Sequence, residues 1–150
     1  MPFEDEIAAL NQAYFFREFT YSNTTFRTRG ESDTESEVEL ADSLLWLEND
    51  LVVYQLKERQ APANTTPEQE SAWFNRRVLG KGTKQVRDTL RYLESEASIP
   101  LENHRGHQFN LSGSSIEGIH KLVVFKPHAT LPAELAQKGF TRAALRGSSI

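Results

Sequence analysis

Asp42, Gln55 and Lys57 are the residues whose types and spacing suit a reaction. They stand at the two ends of one stretch, DSLLWLENDLVVYQLK. Two β-rich runs, SLLWL and LVVY, flank the polar Glu48-Asn49-Asp50, which is a hairpin signature. The acid at the near end and the Gln-x-Lys at the far end then meet. A two-residue loop at Glu48-Asn49 sets Asp42 opposite Gln55; a loop at Asn49-Asp50 sets it opposite Lys57. Side chains alternate with a period of two along a strand, so both registers put all three on one face. An acid, a neutral oxygen ligand and an ammonium together suit metal-assisted attack on a phosphodiester. A divalent ion polarises the ester, activates a water and neutralises developing charge. Mg²⁺ prefers oxygen ligands and often takes only one or two carboxylates. Asp42 would supply one and the Gln55 carbonyl an uncharged second. Lys57 would position the water or stabilise the charged transition state. An acid near a hairpin end is also common, and spacing alone fits an ordinary strand ending in solvated polar groups.

The neighbouring elements must hold that hairpin in place. Phe3, Ile7, Leu10 and Tyr14 recur at helical spacing and predict an amphipathic helix over roughly 3–18. Glu4, Asp5 and Glu6 suit its N-terminal end. Thr20 to Thr28 reads as a strand, 30–37 as an acidic loop, and Val38 to Leu47 with Leu51 to Glu58 as the hairpin. Thr66-Pro67-Glu68-Gln69 has a Thr cap, a first-position Pro and a capping-box Gln, so a helix starts at Pro67. Gly80 and Gly82 predict a break or kink, followed by a second helical stretch over 83–95. Gly106 to Leu111 reads as a short strand and Ile119 to Phe125 as a firm one. Leu131 to Lys138 reads as a short helix stopped by Gly139, with a frayed tail after it. Helix, three strands, helix and strand around a mixed sheet make an α/β or α+β domain.

A chain of 150 residues suits a single domain, here 1–150, able to bury a core. Without cysteine there is neither a disulfide framework nor thiolate chemistry. His104 and His107 therefore have no cysteine partners for zinc. No signal-peptide pattern and no long apolar run occur, so the expectation is a cytoplasmic protein that does not enter a membrane. The net charge of −4 is uneven. Residues 1–72 carry 15 acids against 5 bases, and residues 73–150 carry 6 against 12. In the basic half, Arg76, Arg77, Lys81, Lys84, Arg87 and Arg91 face one acid, Asp88. Lys84, Arg87 and Arg91 share a helical face that could track phosphates, with a salt-dependent contribution. A solvated basic face fits the same letters. Trp73, Phe74 and Tyr92 are candidates for base stacking or, more ordinarily, for the core.

Asp42, twelve residues, then Gln55-x-Lys57 resembles the motif of the PD-(D/E)XK nuclease superfamily, and the element order over roughly 3–126 is similar to its restriction-endonuclease-like αβββαβ core. Ala41 stands where the name-giving motif has Pro, and Gln55 where it has an acid. The resemblance implies a mixed sheet flanked by helices and a Mg²⁺- or Mn²⁺-dependent endonuclease acting on DNA. It implies Asp42, Gln55 and Lys57 as catalytic residues, with Asp42 and Gln55 holding the metal. A further ligand would be Glu6 or Glu18 from the first helix, or Glu39. Strand parity puts Glu39 on the face opposite Asp42 unless a bulge intervenes. Lys84-Gln85 resembles the family's Gln-bearing helix, so Lys84, Gln85, Arg87 and Arg91 are the nucleic-acid-binding candidates. The missing acid at Gln55 favours the alternative, a catalytically inactive nuclease-like module that binds nucleic acid or a partner protein. The overall acidity favours a plain structural domain. A domain this small leaves little room for base readout, so target choice is expected from a homodimer or larger complex. The chain stops soon after its last firm strand, which also fits a piece of a longer protein.

Overall fold

The hairpin takes the first of its two registers. The computed structural model describes residues 2–15, 19–29, 35–103 and 105–138. In it β2 (Glu35–Leu47) pairs antiparallel with β3 (Asp50–Glu58), with Leu47 opposite Asp50 and Ser43 opposite Tyr54. Glu48 turns the chain with φ at 53°, an uncommon conformation for a residue with a side chain. β1 (Thr20–Arg29) pairs antiparallel with β2 on its other side. β6 (Gly118–Lys126) joins β3 in parallel, from Asp50 opposite Gly118 to Glu58 opposite Lys126. The result is an α/β fold with a mixed four-stranded sheet in the order β1-β2-β3-β6.

The two faces of the sheet carry different cover. α1 (Phe3–Phe15) brings Phe3 and Ile7 onto Leu45, Tyr54 and Leu56. The other face buries Leu44, Leu51 and Val53 with Leu93 of α3 (Thr83–Ser95). A separate hairpin, β4 (Ile99–Glu102) with β5 (Gln108–Leu111), closes this second core through Ile99, Leu101 and Leu111. Apart from the half-buried Ile7, each of these side chains is nearly inaccessible, and full burial of a residue of this size contributes about 1.5–3 kcal/mol.

The expected helix over 3–18 is described as far as Phe15, and 16–18 lie outside the described residues. Its apolar contact with the sheet comes from Phe3 and Ile7, and Asn11 is buried further along. Leu10 and Tyr14, read as part of the apolar stripe, are 51% and 74% exposed. β2 begins at Glu35, because β1 reaches Arg29 and pairs with it there. Residues 30–34 of the acidic loop, Gly139 and the tail 140–150 are outside the described residues, as is His104.

α2 (Pro67–Trp73) has the capping box its sequence predicts. Gln69 donates its backbone N–H to Thr66 Oγ1 at 3.3 Å, and Thr66 donates its own to Gln69 Oε1 at 3.0 Å. The break expected at Gly80 and Gly82 is absent. A π-helical segment, Phe74–Gly82, runs from α2 directly into α3. It buries Phe74, Val78 and Gly82 at every fourth position. Gly82 is small for a reason: a Cβ there would lie 2.7 Å from Val123 Cγ1. Trp73, Phe74 and Val78 form a third core with Val123, Phe125, Leu131 and Leu135 beneath α4 (Ala133–Lys138). Glu70 of α2 is fully buried. It accepts Arg59 Nε at 2.9 Å and the His128 backbone N–H at 3.0 Å, tying the helix to the chain just beyond β3 and β6. β4 escapes a sequence reading because Pro100 looks like a stop. Pro100 lies exposed in this two-stranded sheet, the edge setting where proline is tolerated. Among the described residues no helix is long and apolar enough to cross a membrane.

Candidate active site

The β2–β3 ladder ends at Ser43 opposite Tyr54, one residue short of Asp42. Beyond that rung the strands part, which leaves the backbone of Leu56 facing a gap. Two side chains fill it. Asp42 Oδ2 accepts the Leu56 N–H at 2.5 Å, and Lys57 Nζ donates to the Leu56 carbonyl at 2.8 Å. The same ammonium lies 3.4 Å from Asp42 Oδ2. Both side chains are 10% exposed, so the pair is screened less than a surface ion pair. Asp42 therefore reaches β3 between Gln55 and Lys57.

Gln55 is 2% exposed, and its Oε1 has no hydrogen-bond partner among the described residues. A buried acceptor left in that state costs about 1–3 kcal/mol. An oxygen that takes a cation or a donor recovers this. Gln85 Oε1 on α3 is buried and unpartnered in the same way. One turn later, Thr89 donates through Oγ1 to the Leu40 carbonyl at 2.5 Å, which fixes this face of α3 against β2.

Glu39 is brought to Asp42 by a bulge. Thr24 pairs with Ala41 but Thr25 pairs with Glu39, so β2 holds one extra residue, Leu40, at this point. The Glu39 carboxyl lies close to that of Asp42. Burial, then the negative charge of Asp42 and the polar contact with it, push the Glu39 carboxyl above the ordinary carboxylate value. Lys57 pulls it down, and the charge of Glu4 adds a small upward push. Glu39 as a whole residue is exposed, so the burial is partial and the neighbouring charge is the firmer cause. The parity expectation for Glu39 thus gives way to the bulge it named as its exception.

The first-helix candidates fare differently. Glu6 places both oxygens on Lys126 Nζ, at 3.1 and 3.2 Å. Glu18 lies outside the described residues. The helix instead presents Glu4 and Asp5, absent from the sequence-derived set, to a cleft of about 220 Å³ beside Asp42. Gln12 and Ser22 also line it, and the Ser22 hydroxyl is buried without a partner among the described residues. Helical spacing cannot find Glu4, because which of three successive acids faces the sheet depends on how α1 docks.

Hard oxygen donors suited to Mg²⁺ or Mn²⁺ are present in the Asp42 carboxylate, the orphaned Gln55 oxygen and the Glu39 carboxyl. Among the described residues no three Asp, Glu or His side chains gather closely enough to hold an ion by themselves. Any ion here would therefore rely on the Gln55 amide as well as on carboxylates.

The phosphate-binding candidates split. Lys84 and Arg91 both pair with Asp88, at 3.4 and 3.5 Å, whereas Arg87 is exposed. Trp73 and Phe74 are core residues, 5% and 0% exposed. Tyr92 is half-buried, its ring edge-on to Phe26 at 5.3 Å.

No family model matches the chain, and no curated protein or solved structure does so either.

Proposed function

We propose that the chain is a metal-dependent nuclease of the PD-(D/E)XK type, with a restriction-endonuclease-like core, that hydrolyses DNA phosphodiester bonds. One observation carries this reading. Where β2 and β3 part, Asp42 and Lys57 meet at 3.4 Å beside Gln55, whose buried oxygen has no partner among the described residues. Mg²⁺ or Mn²⁺ held by Asp42 and Gln55 would supply charge neutralisation and a more acidic bound water. Lys57 contributes a fixed ammonium, held by the Leu56 carbonyl, that stabilises negative charge on the attacking oxygen or the phosphoryl group. Asp42 holds that ammonium in place at 3.4 Å. Glu39 adds a second carboxyl next to Asp42, and burial together with that neighbouring charge raises the Glu39 carboxyl above its ordinary value.

The second reading is a catalytically silent module on the same scaffold, and a specific observation favours it. The Asp42 and Lys57 side chains already satisfy the backbone groups of Leu56, which is a complete structural role. Cleavage of plasmid DNA with Mg²⁺ or Mn²⁺ separates the two. The nuclease reading expects wild-type cleavage that EDTA stops and that Asp42→Ala and Lys57→Ala each abolish. Cleavage that survives both substitutions would sink the site, and salt-dependent binding without cleavage would support the silent module.

A further inference from the structure

We propose that Arg76, Arg77 and Lys81 of the π-helical segment form a phosphate clamp for double-stranded, rather than single-stranded, DNA. The proposal rests on the nuclease reading only for its choice of DNA. All three side chains are exposed, and none makes an ion pair among the described residues. In a helix bonded i to i+5, the next turn begins four or five residues on. Lys81 therefore stands one turn above Arg77 and Arg76, and the three cations make one cluster. The buried positions Phe74, Val78 and Gly82 turn the opposite side of the segment to the core.

The segment that carries the cluster packs on the sheet at the candidate site, with the cations on its outward side. Gly82, next to Lys81, packs on Val123, and Val123 is the ladder partner of Gln55. The segment thus lies over the rung of the sheet that carries the orphaned oxygen. Lys84 and Arg91, by contrast, spend part of their charge on Asp88.

The preference for a duplex follows from what surrounds the cations. Proteins that hold single strands without sequence preference offer exposed aromatic rings on which bases stack. Here Trp73 and Phe74 are buried, and the Tyr92 ring is engaged by Phe26 and by Arg91 at 5.4 Å. The exposed apolar side chain within the segment is Leu79, which has no π-face. Charge without stacking platforms favours the closely spaced phosphates of a duplex.

The test is fluorescence anisotropy with a short labelled DNA duplex and, separately, one of its strands, in EDTA over a series of salt concentrations. The duplex should bind more tightly than the strand. The triple variant Arg76→Ala/Arg77→Ala/Lys81→Ala should flatten the slope of log K against log salt by about 2.7, on the order of 0.9 per phosphate contact. Circular dichroism checks that this surface variant is folded, and Arg76→Lys/Arg77→Lys should keep the wild-type slope. Equal affinity for the strand, an unchanged slope in the triple variant, or no salt-dependent binding by the wild type would overturn the clamp. The nuclease reading fails separately, if cleavage is absent or survives Asp42→Ala while duplex binding behaves as described.

Discussion

The two ends of the β2–β3 hairpin are built on opposite rules. At the turn end the ladder is complete: Leu44 pairs with Val53, Trp46 with Leu51, and the flanking side chains are core. At the far end the ladder stops, and the backbone of Leu56 is satisfied by the Asp42 carboxylate and the Lys57 ammonium instead. The first end holds the fold with apolar area. The second holds polar groups that are only partly satisfied, as the Gln55 oxygen shows. The contrast teaches that chemistry becomes available where a sheet stops satisfying itself.

If the proposed nuclease activity is right, substitutions at the two ends should separate stability from activity. Leu44→Ala, at a fully buried position, should cost about 2–5 kcal/mol in urea unfolding, and the protein that remains folded should keep its cleavage rate. Asp42→Ala should abolish cleavage and cost about 1–3 kcal/mol, because the Leu56 N–H loses its acceptor. Asp42→Asn, which keeps an acceptor, should restore most of that stability and none of the activity. Activity in Asp42→Asn would show that this end is structural like the other. Thr66→Ala, remote from both ends, should cost about 1 kcal/mol through the lost cap and leave cleavage unchanged.

The smallest effect is at Glu39. Its carboxyl has a folded pKa above the ordinary value of 4.5, so the fold favours its protonated form. That contribution is fully present below 4.5 and is lost as pH rises through the raised folded value. Glu39→Gln stays neutral throughout. It should be slightly more stable than the wild type above this window, with the advantage vanishing in acid. Urea midpoints across pH check this, and an advantage that grew in acid would reverse the sign. Exposure of Glu39 to solvent keeps the effect small.

Local features of the sequence carried much of this structure. The alternating runs about Glu48-Asn49 give the hairpin and two candidate registers, of which the first forms, and Thr66 with Gln69 gives the start of α2. Features set by docking were hidden. The slip at Leu40 depends on how β1 lies against β2, so the approach of Glu39 to Asp42 is invisible to strand parity. Gly80 and Gly82 suggest a break, yet the close approach to Val123 makes Gly82 part of a continuous helix. Phe3, Ile7, Leu10 and Tyr14 have helical spacing, but the sheet lies under only the first two. The pairing of Asp42 with Lys57 was within reach of the period-two argument. The fork that turns both onto Leu56 was not, because nothing local says where a ladder ends.

The parallel pairing of β3 with β6 has a consequence for the order of events in folding. The hairpin can close by itself, since its strands are joined by two residues. Its second neighbour for β3 arrives only after the chain between Glu58 and Gly118 has been gathered in. Closing a long loop is entropically slow, so the strand bearing Lys57 begins as an open, apolar edge. Until β6 docks, that edge can pair with another copy of the same hairpin. Gln55 and Lys57 therefore belong to the strand whose pairing is completed last, and pulse-labelled hydrogen exchange should find the β3 amides that face β6 among the latest to gain protection.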